Sequence, residues 1–446
     1  MPDIVITDVR ALAPTPDGLR VERCDIVIEG GVIVALTTPG AAPPATQTIA
    51  GGGSLAIPGL VNAHTHSPEN LSRGRSESTR LSDWLAQVWP AIDALPPADI
   101  ALAIEWGAAE MLRHGVTGVV DHFRQTPMSE QALSAAIDAY ARIGMRSMIA
   151  VMLRDAATSS GGVVGVAHVK AVPSAAEQIA MVVDAHASAS ARGVQLAFGP
   201  SAPHRCLDRL LNGLAGTNNT IAIHTHVDET AEEYATAVAR FGVSEIAHLD
   251  RLGLLGPRTS CVHVVHSTAD DFALMAAKGA VAVHNPVSNL RLGVGITPLA
   301  SMLRAGVNVA LGTDGAASND SQNPWEVVKA AALLPRIASR DATAWPSSET
   351  MLALATRMGH RVFGSADAHA GTLAVGAPAD IAVFADDDFD PIDPRRPAAS
   401  LVLGSTARRA RHVIARGRVL LRDGSLATID EDRLRRRIDD YRKEAA

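Results

Sequence analysis

The chain has 446 residues, 47% hydrophobic, 20% charged and only 3% aromatic. That is the profile of a soluble α/β protein with ample apolar content for a large core, and it excludes a disordered or fibrous chain. A formal charge of −7 and a pI near 6.1 exclude the basic footprint of a nucleic-acid or anionic-membrane partner.

From the N-terminus, short β-like runs (Ile4-Val5-Ile6, Cys24 to Ile28, Gly31 to Ala35) are broken by Gly and Pro. Gly30-Gly31 supplies a hairpin-type turn. Nothing here has the basic-then-apolar form of a signal peptide, and no apolar run approaches a membrane span, so a cytoplasmic protein is expected. Residues 39–53 are rich in Pro, Ala and Gly and read as a loop. Cys24, Cys206 and Cys261 are far apart with no C-x-x-C, which suggests neither a disulfide framework nor a zinc ribbon.

The middle of the chain alternates. Strand-like runs at 60–64, 116–121, 147–152, 194–198, 220–224, 261–265, 280–283 and 307–311 are separated by helical patterns. One helix, 174–192, opens with the capping box Ser174-x-x-Glu177, and another, 268–278, with Thr268-x-x-Asp271. Eight strands alternating with helices predict a (β/α)8 TIM-type barrel over 58–369. The ending is β-rich again: Ala379 to Phe384, Val413-Ile414-Ala415 and Val419-Leu420-Leu421, closed by Asp423-Gly424. Residues 1–57 and 370–430 are therefore expected to build one small β-sandwich domain from both termini, and the charged stretch 431–446 a C-terminal helix.

The chemistry gathers at predicted strand ends, where barrel enzymes place reactive groups. Pro58-Gly59-Leu60-Val61-Asn62-Ala63-His64-Thr65-His66 reads as an apolar strand ending in two histidines. Alternation puts their side chains on one face, about 6–7 Å apart, able to grip a divalent cation from one side. Later strands deliver His224-Thr225-His226-Val227-Asp228-Glu229, then Val262-His263, then His284-Asn285-Pro286, then Leu311-Gly312-Thr313-Asp314-Gly315. A lone histidine at a strand end commonly just satisfies a backbone group. The ordered set is much harder to explain that way.

These motifs, with Ser288-Asn289 and the run from Gly371-Thr372-Leu373 to Ala379-Asp380, resemble the amidohydrolase superfamily over nearly the whole chain. The similarity is to its aminohydrolase branch, which includes adenosine-type, methylthioadenosine, S-adenosylhomocysteine and guanine deaminases and triazine hydrolases. The resemblance implies one divalent metal ion, zinc first and iron or manganese as alternatives, held by His64, His66, His226 and Asp314. His224 shares a strand face with His226 and competes for that role; His226 is preferred because Glu229 follows at the family's spacing. Glu229 then matches the proton shuttle, His263 the histidine that orients the attacking water, and Asp314 a proton acceptor. The absence of an obvious bridging lysine argues against a binuclear site. Relatives are often dimers or larger, which implies a homo-oligomer.

The implied reaction is hydrolytic deamination of an amino-substituted nitrogen heterocycle, most readily a purine or purine nucleoside derivative. The alternatives are an s-triazine amine or halide hydrolase and a non-catalytic member of the superfamily; Glu229 favours an amine leaving group, which needs a proton to depart, over a halide. No H-x-E…P-C-x-x-C, H-E-x-x-H, P-loop, nucleophile elbow or dinucleotide fingerprint is present. Candidate substrate contacts are Trp84 and Trp89, either of which could cover a flat ring, and Arg154, which could hold a polar or anionic substituent. Glu69 would favour an NH-rich or cationic substrate. Relatives often carry Gly-Pro-His-Ala-Pro-Tyr after strand 4; here Gly199-Pro200-Ser201-Ala202-Pro203-His204 puts Ser201 and His204 in those substrate-facing places. Asn289 completes the set.

Overall fold

Strands buried on both faces should read as continuous apolar runs, and eight of them do. They are β1 (Leu60–Thr65), β2 (Val116–Phe123), β3 (Arg146–Leu153), β4 (Val194–Pro200), β5 (Ala222–Val227), β6 (Thr259–His263), β7 (Val281–His284) and β8 (Asn308–Leu311). They come from a computed structural model that describes the chain apart from residues 16–17, 78, 94, 156–172, 218–219, 365–366, 386–389 and 446. Each strand pairs in parallel with the next, in chain order. The ring is drawn together between its first and last members by Asp314, whose N–H donates to the His64 carbonyl at 2.9 Å. The result is a (β/α)8 barrel.

Alternation divides each strand between two cores. Val61, Ala63, Val120, Met148, Ala150, Ala197, Val262, Val281, Val283 and Ala310 pack with one another inside the barrel, with Val362 and Phe363 beneath them. Their neighbours, among them Val119, Ile149, Leu196, Ile223, Cys261 and Val309, join the helices outside. The two predicted capping boxes form: Ser174 caps the helix Ala175–Ala191 and Thr268 the helix Ala269–Lys278.

β2 and β4 each run two residues past the expected ends at 121 and 198, and three further differences stand out. β5 starts two residues later than the 220–224 run and continues to Val227. β6 occupies 259–263 rather than 261–265, because His263 and Val264 take left-handed backbone (φ 74° and 46°) that ends the ladder. Within 39–53, Gln47–Ala50 forms a strand parallel to Ile4–Thr7.

The termini meet in one sheet of nine strands. Its hydrogen-bonded order runs 425–426, 418–422, 410–415, 381–384, 55–58, 4–15, 18–29, 32–37, with 47–50 also on 4–15. Gly30 and Gly31 make the predicted turn, both at positive φ, and Asp423-Gly424 makes another. A separate core of Ile4, Ile6, Ile26, Ile28, Ile33, Ile381, Val383 and Ile414 holds the sheet. Leu55–Pro58 pairs with Ile381–Phe384 and leads through Gly59 straight into β1. A side chain at 59 would collide with Thr117, so only glycine lets the chain cross from sheet to barrel there.

At the carboxyl ends of the strands, the helix Leu81–Asp93 lies across the barrel mouth. Its Trp84, Leu85, Val88, Trp89 and Ile92 pack on Val265, Leu292, Val294 and Ala317, which follow β6, β7 and β8. The charged ending forms the helix Glu431–Ala445. No helix among the described residues is long and apolar enough to cross a membrane.

Phe363 closes the barrel's lower end, 8% exposed and against the Cα of Gly118. Phe363→Ala should lower stability by roughly 3–5 kcal/mol, read as a shifted denaturation midpoint. An unchanged midpoint would show that the barrel interior does not rely on that plug.

Candidate metal and active site

A parallel barrel brings the ends of distant strands to one mouth, and here it brings six histidines. The register between β1 and β2 slips between Asn62 and Thr65. Beyond that irregularity His64 and His66 stand with ring centroids 4.7 Å apart. The two rings lie 5.2 and 5.3 Å from that of His226 at the end of β5. Asp314, just past β8, places Oδ1 3.2 Å from His64 Nε2 and 3.5 Å from His66 Nε2. All four residues are buried.

Hydrogen bonds on the far nitrogens set which nitrogen each ring turns inward. His66 Nδ1 donates to the His122 carbonyl and His226 Nδ1 to that of Ser201, each at 2.6 Å. Both Nε2 atoms are then lone-pair acceptors, yet they face each other at 3.3 Å. His64 Nε2 is likewise buried and has no hydrogen-bond partner among the described residues. Lone pairs so close repel unless a cation lies among them, and three imidazole nitrogens with a carboxylate oxygen are a donor set suited to a divalent transition metal. Burial lowers the pKa of all three rings, that of His66 to about 3, so they stay neutral as ligation requires.

His224 has another position. Its Nε2 meets His64 Nδ1 at 2.8 Å and its Nδ1 meets Ser260 Oγ at 2.6 Å. With Ser260 donating to the Ile223 carbonyl, a single proton order runs along the chain and leaves His64 Nε2 free to face Asp314. His224 thus stands behind a candidate ligand.

Glu229 and His263 sit beside this centre. His263 Nε2 is 3.7 Å from Glu229 Oε1 and 4.0 Å from Asp314 Oδ2. His263 Nδ1 donates to Asn289 Oδ1 at 2.9 Å, and Asn289 Nδ2 to Thr297 Oγ1 at 3.1 Å, so Asn289 fixes the His263 ring. Burial pushes the Glu229 carboxyl up to about 7, against the pull of His263. Asp314 is held by Ser288 Oγ at 2.7 Å and by the Gly315 N–H at 2.8 Å.

The remaining sequence candidates are dispersed around the mouth. Glu69 lies against Gly315, where any side chain would strike its Oε2, and accepts from the Ala317 N–H at 3.4 Å. Burial and the Asp314 charge raise its pKa, against the pull of the Ala317 N–H and Arg124. Trp84 donates its indole N–H to the Ala317 carbonyl at 2.9 Å. Trp89 carries the Arg124 guanidinium 3.6 Å from its ring centroid and that of Arg154 at 5.6 Å. Ser201 Oγ is buried without a partner among the described residues. His204 is tied through both its N–H and Nδ1 to Glu245 Oε1, each at 2.8 Å.

Sequence reasoning missed several participants. His122, inside β2, stacks on His226 at 4.7 Å and forms with His64 and His226 a second group whose ligand atoms all lie within 4.8 Å of one another. Its place in Val-Val-Asp-His-Phe at a strand end was the available signal. Arg124 follows it directly, and Arg205 follows His204. Asn62, Thr313 and Gln322 form a buried amide–hydroxyl network that fixes the turn carrying Asp314; Gln322 Nε2 reaches the Asp314 carbonyl at 3.1 Å. A cavity of about 560 Å³ lined by Leu12, Ile57, Val309, Leu352 and Leu373 includes none of the candidate site residues.

The chain is similar to known proteins over most of its length. A 5-methylthioadenosine/S-adenosylhomocysteine deaminase of Desulforudis audaxviator is 33% identical over 414 residues, 92% of this chain and 91% of that protein. A 5'-deoxyadenosine deaminase of Methanothermobacter thermautotrophicus is 32% identical over 418 residues, 93% of each chain. The crystal structure of an adenosine deaminase from Xanthomonas campestris with bound zinc superposes with a TM-score of 0.88 at 28% identity, over 99% of this chain and 98% of that one. A triazine hydrolase from Arthrobacter aurescens gives 0.89 at 25% identity over 99% of each. Residues 55–420 match the model of the amidohydrolase family, and the chain belongs to that family of metal-dependent hydrolases.

Proposed function

We propose that the protein is a hydrolytic deaminase of an amino-substituted nitrogen heterocycle, a purine or purine nucleoside derivative, working with one zinc ion. The observation that carries this reading is the pair of inward lone pairs on His66 and His226, 3.3 Å apart beside Asp314, with a buried Glu229 within reach of His263. His64, His66, His226 and Asp314 are the ligands in this reading. The zinc-bound relative and the deaminase names of the similar proteins support zinc and the leaving group.

A divalent ion bound there supplies Lewis acidity, lowering the pKa of coordinated water toward neutrality. The chain's own groups do the rest. Asp314, oriented by Ser288 and Gly315, accepts the proton released as water attacks the ring carbon bearing the amine. Glu229, protonated near neutral pH because it is buried, donates to the ring nitrogen so that negative charge does not accumulate there. The proton held by Asp314 then passes to the departing amine, which leaves as ammonia, and the proton remaining on the attacking oxygen passes to Glu229 as the carbonyl forms, so both groups return to their starting states. His263, its ring set by Asn289, turns Nε2 toward the same space to hold the attacking oxygen. Trp84, Trp89, Arg154, Ser201, His204, Glu69 and Asn289 shape the surrounding pocket directly or through their neighbours. A halide departs without a proton and would leave the one taken up by Asp314 without a leaving group to receive it, which favours the amine.

Ammonia release from a panel of aminopurines, their nucleosides, aminopyrimidines, pterins and aminotriazines tests the proposal. Release from one ring class, abolished by chelation and restored by zinc, is the expected result; no release despite one bound metal per chain would overturn it. Asp314→Asn should lower kcat/KM by about 10³-fold or more when assayed with the metal content matched to wild type. Full activity in that variant would remove Asp314 from proton transfer. Because Glu229 must carry its proton to act, kcat/KM should fall as pH rises through about 7. A rate still climbing above pH 8 would assign the donor to another group.

A further inference from the structure

Three arginines converge where the reaction does not need them. Arg124 follows β2, Arg154 follows β3 and Arg205 lies in the turn after β4, and all three are buried, at 4%, 6% and 3% exposure. Their guanidinium carbons lie 3.6, 5.6 and 6.0 Å from the centre of one ring, that of Trp89. Trp89 stands on the helix Leu81–Asp93 that crosses the barrel mouth. Asp93 at the end of that helix pairs with Arg124 at 2.6 Å, and Glu233 pairs with Arg205.

Burying a guanidinium costs several kcal/mol unless its donors are matched. Here matching is incomplete: Arg124 Nε and Arg205 Nε are buried and meet no hydrogen-bond partner among the described residues. The like charges also oppose one another. Burial, Arg124 and Arg205 together push the pKa of Arg154 down to about 10. Arg205 acts electrostatically on Glu229 and Arg124 on Glu69, so the cluster is within reach of the reacting centre. Packing alone would be better served by apolar side chains around the indole. An arrangement of forked donors with spare N–H groups, backed by an aromatic face, is what a carboxylate or phosphate requires.

We infer that Arg124, Arg154 and Arg205, gathered round Trp89 at the ends of β2, β3 and β4, form a subsite for an anionic group carried by the substrate. This rests on the deaminase reading and narrows it: the heterocycle bears a carboxylate or phosphate on the side away from the reacting amine. Arg124 and Arg205 are the specificity-determining additions to Arg154.

Matched pairs test it, with the phosphate and carboxylate sources separated: adenosine against its 5'-monophosphate, and a pterin against its 6-carboxylate. The anionic member of one pair should be deaminated with kcat/KM about 100-fold higher, a ratio of the size that charge-assisted hydrogen bonds supply. Removing a paired charge together with its partner, in Arg124→Gln with Asp93→Asn, should cut that preference at least tenfold while metal content and melting midpoint stay near wild type. Pairs deaminated equally within threefold would overturn the subsite and leave the deaminase reading standing. If no member releases ammonia, that reading fails, and calorimetric titration with inorganic phosphate and with benzoate decides the subsite alone. Saturable binding weakened in the double variant supports it, and absence of binding to both overturns it. A role confined to holding the helix down would lower the melting midpoint of the variant and leave the preference ratio unmoved, which also overturns it.

Discussion

A neutral imidazole offers one lone pair, and the partner of its other nitrogen decides where that pair points. The centre of this protein depends on that constraint. Backbone carbonyls at the ends of β2 and β4 take the Nδ1 protons of His66 and His226, and His224 takes that of His64. Each candidate ligand on one strand is therefore aimed by the end of another. The barrel's parallel register is what makes this possible, because it stops eight strands at one level. A slip of one strand would move a carbonyl as well as a side chain, so tautomer, ring orientation and strand register stand or fall together.

Backbone conformation marks the same places. Of the eight non-glycine residues with positive φ among the described residues, four, Asp228, His263, Val264 and Asp314, lie just past or at the ends of strands that lead into the candidate site. Such conformations cost of order 1–3 kcal/mol each and persist because hydrogen bonds over-determine them. The Asp314 turn is held by the His64 carbonyl, Gln322 and Thr65, and His263 by Asn289. Rigidity here is built from many ordinary bonds around a few strained residues, an arrangement suited to presenting donors in advance of the substrate.

Much of this was legible in the sequence, for particular reasons. The eight strands read clearly because buried parallel strands are continuously apolar, and His64, His66, His226 and Asp314 because each ends such a run. The capping boxes at Ser174 and Thr268 fixed two helix starts to the residue. Gln47–Ala50 was hidden because its pairing with Ile4–Thr7 is a long-range event in a Pro- and Gly-rich segment, and propensity carries no information about a distant partner. The true end of β6 was hidden because Val264 and Val265 favour extended backbone, and only tertiary packing turns them into the mouth. His122, Arg124 and Arg205 escaped because their meaning lies in convergence: no spacing along the chain links an arginine after β2 to one after β4 and an indole on a helix between β1 and β2.

The crossing at Gly59 has a consequence for how the molecule is assembled. The strand before it, Leu55–Pro58, pairs with Ile381–Phe384, so the segment that launches β1 and the first two histidines is completed only by residues made after the whole barrel. During translation the N-terminal hairpin of 4–15 and 18–29 can close at once, whereas the edge at 55–58 must wait through the whole barrel for its neighbour. Until then an unpaired strand edge stands open beside the nascent barrel, the kind of surface that invites wrong pairings. Ile381–Phe384 therefore acts as a clasp, locking the start of β1 only when every strand of the barrel is already present.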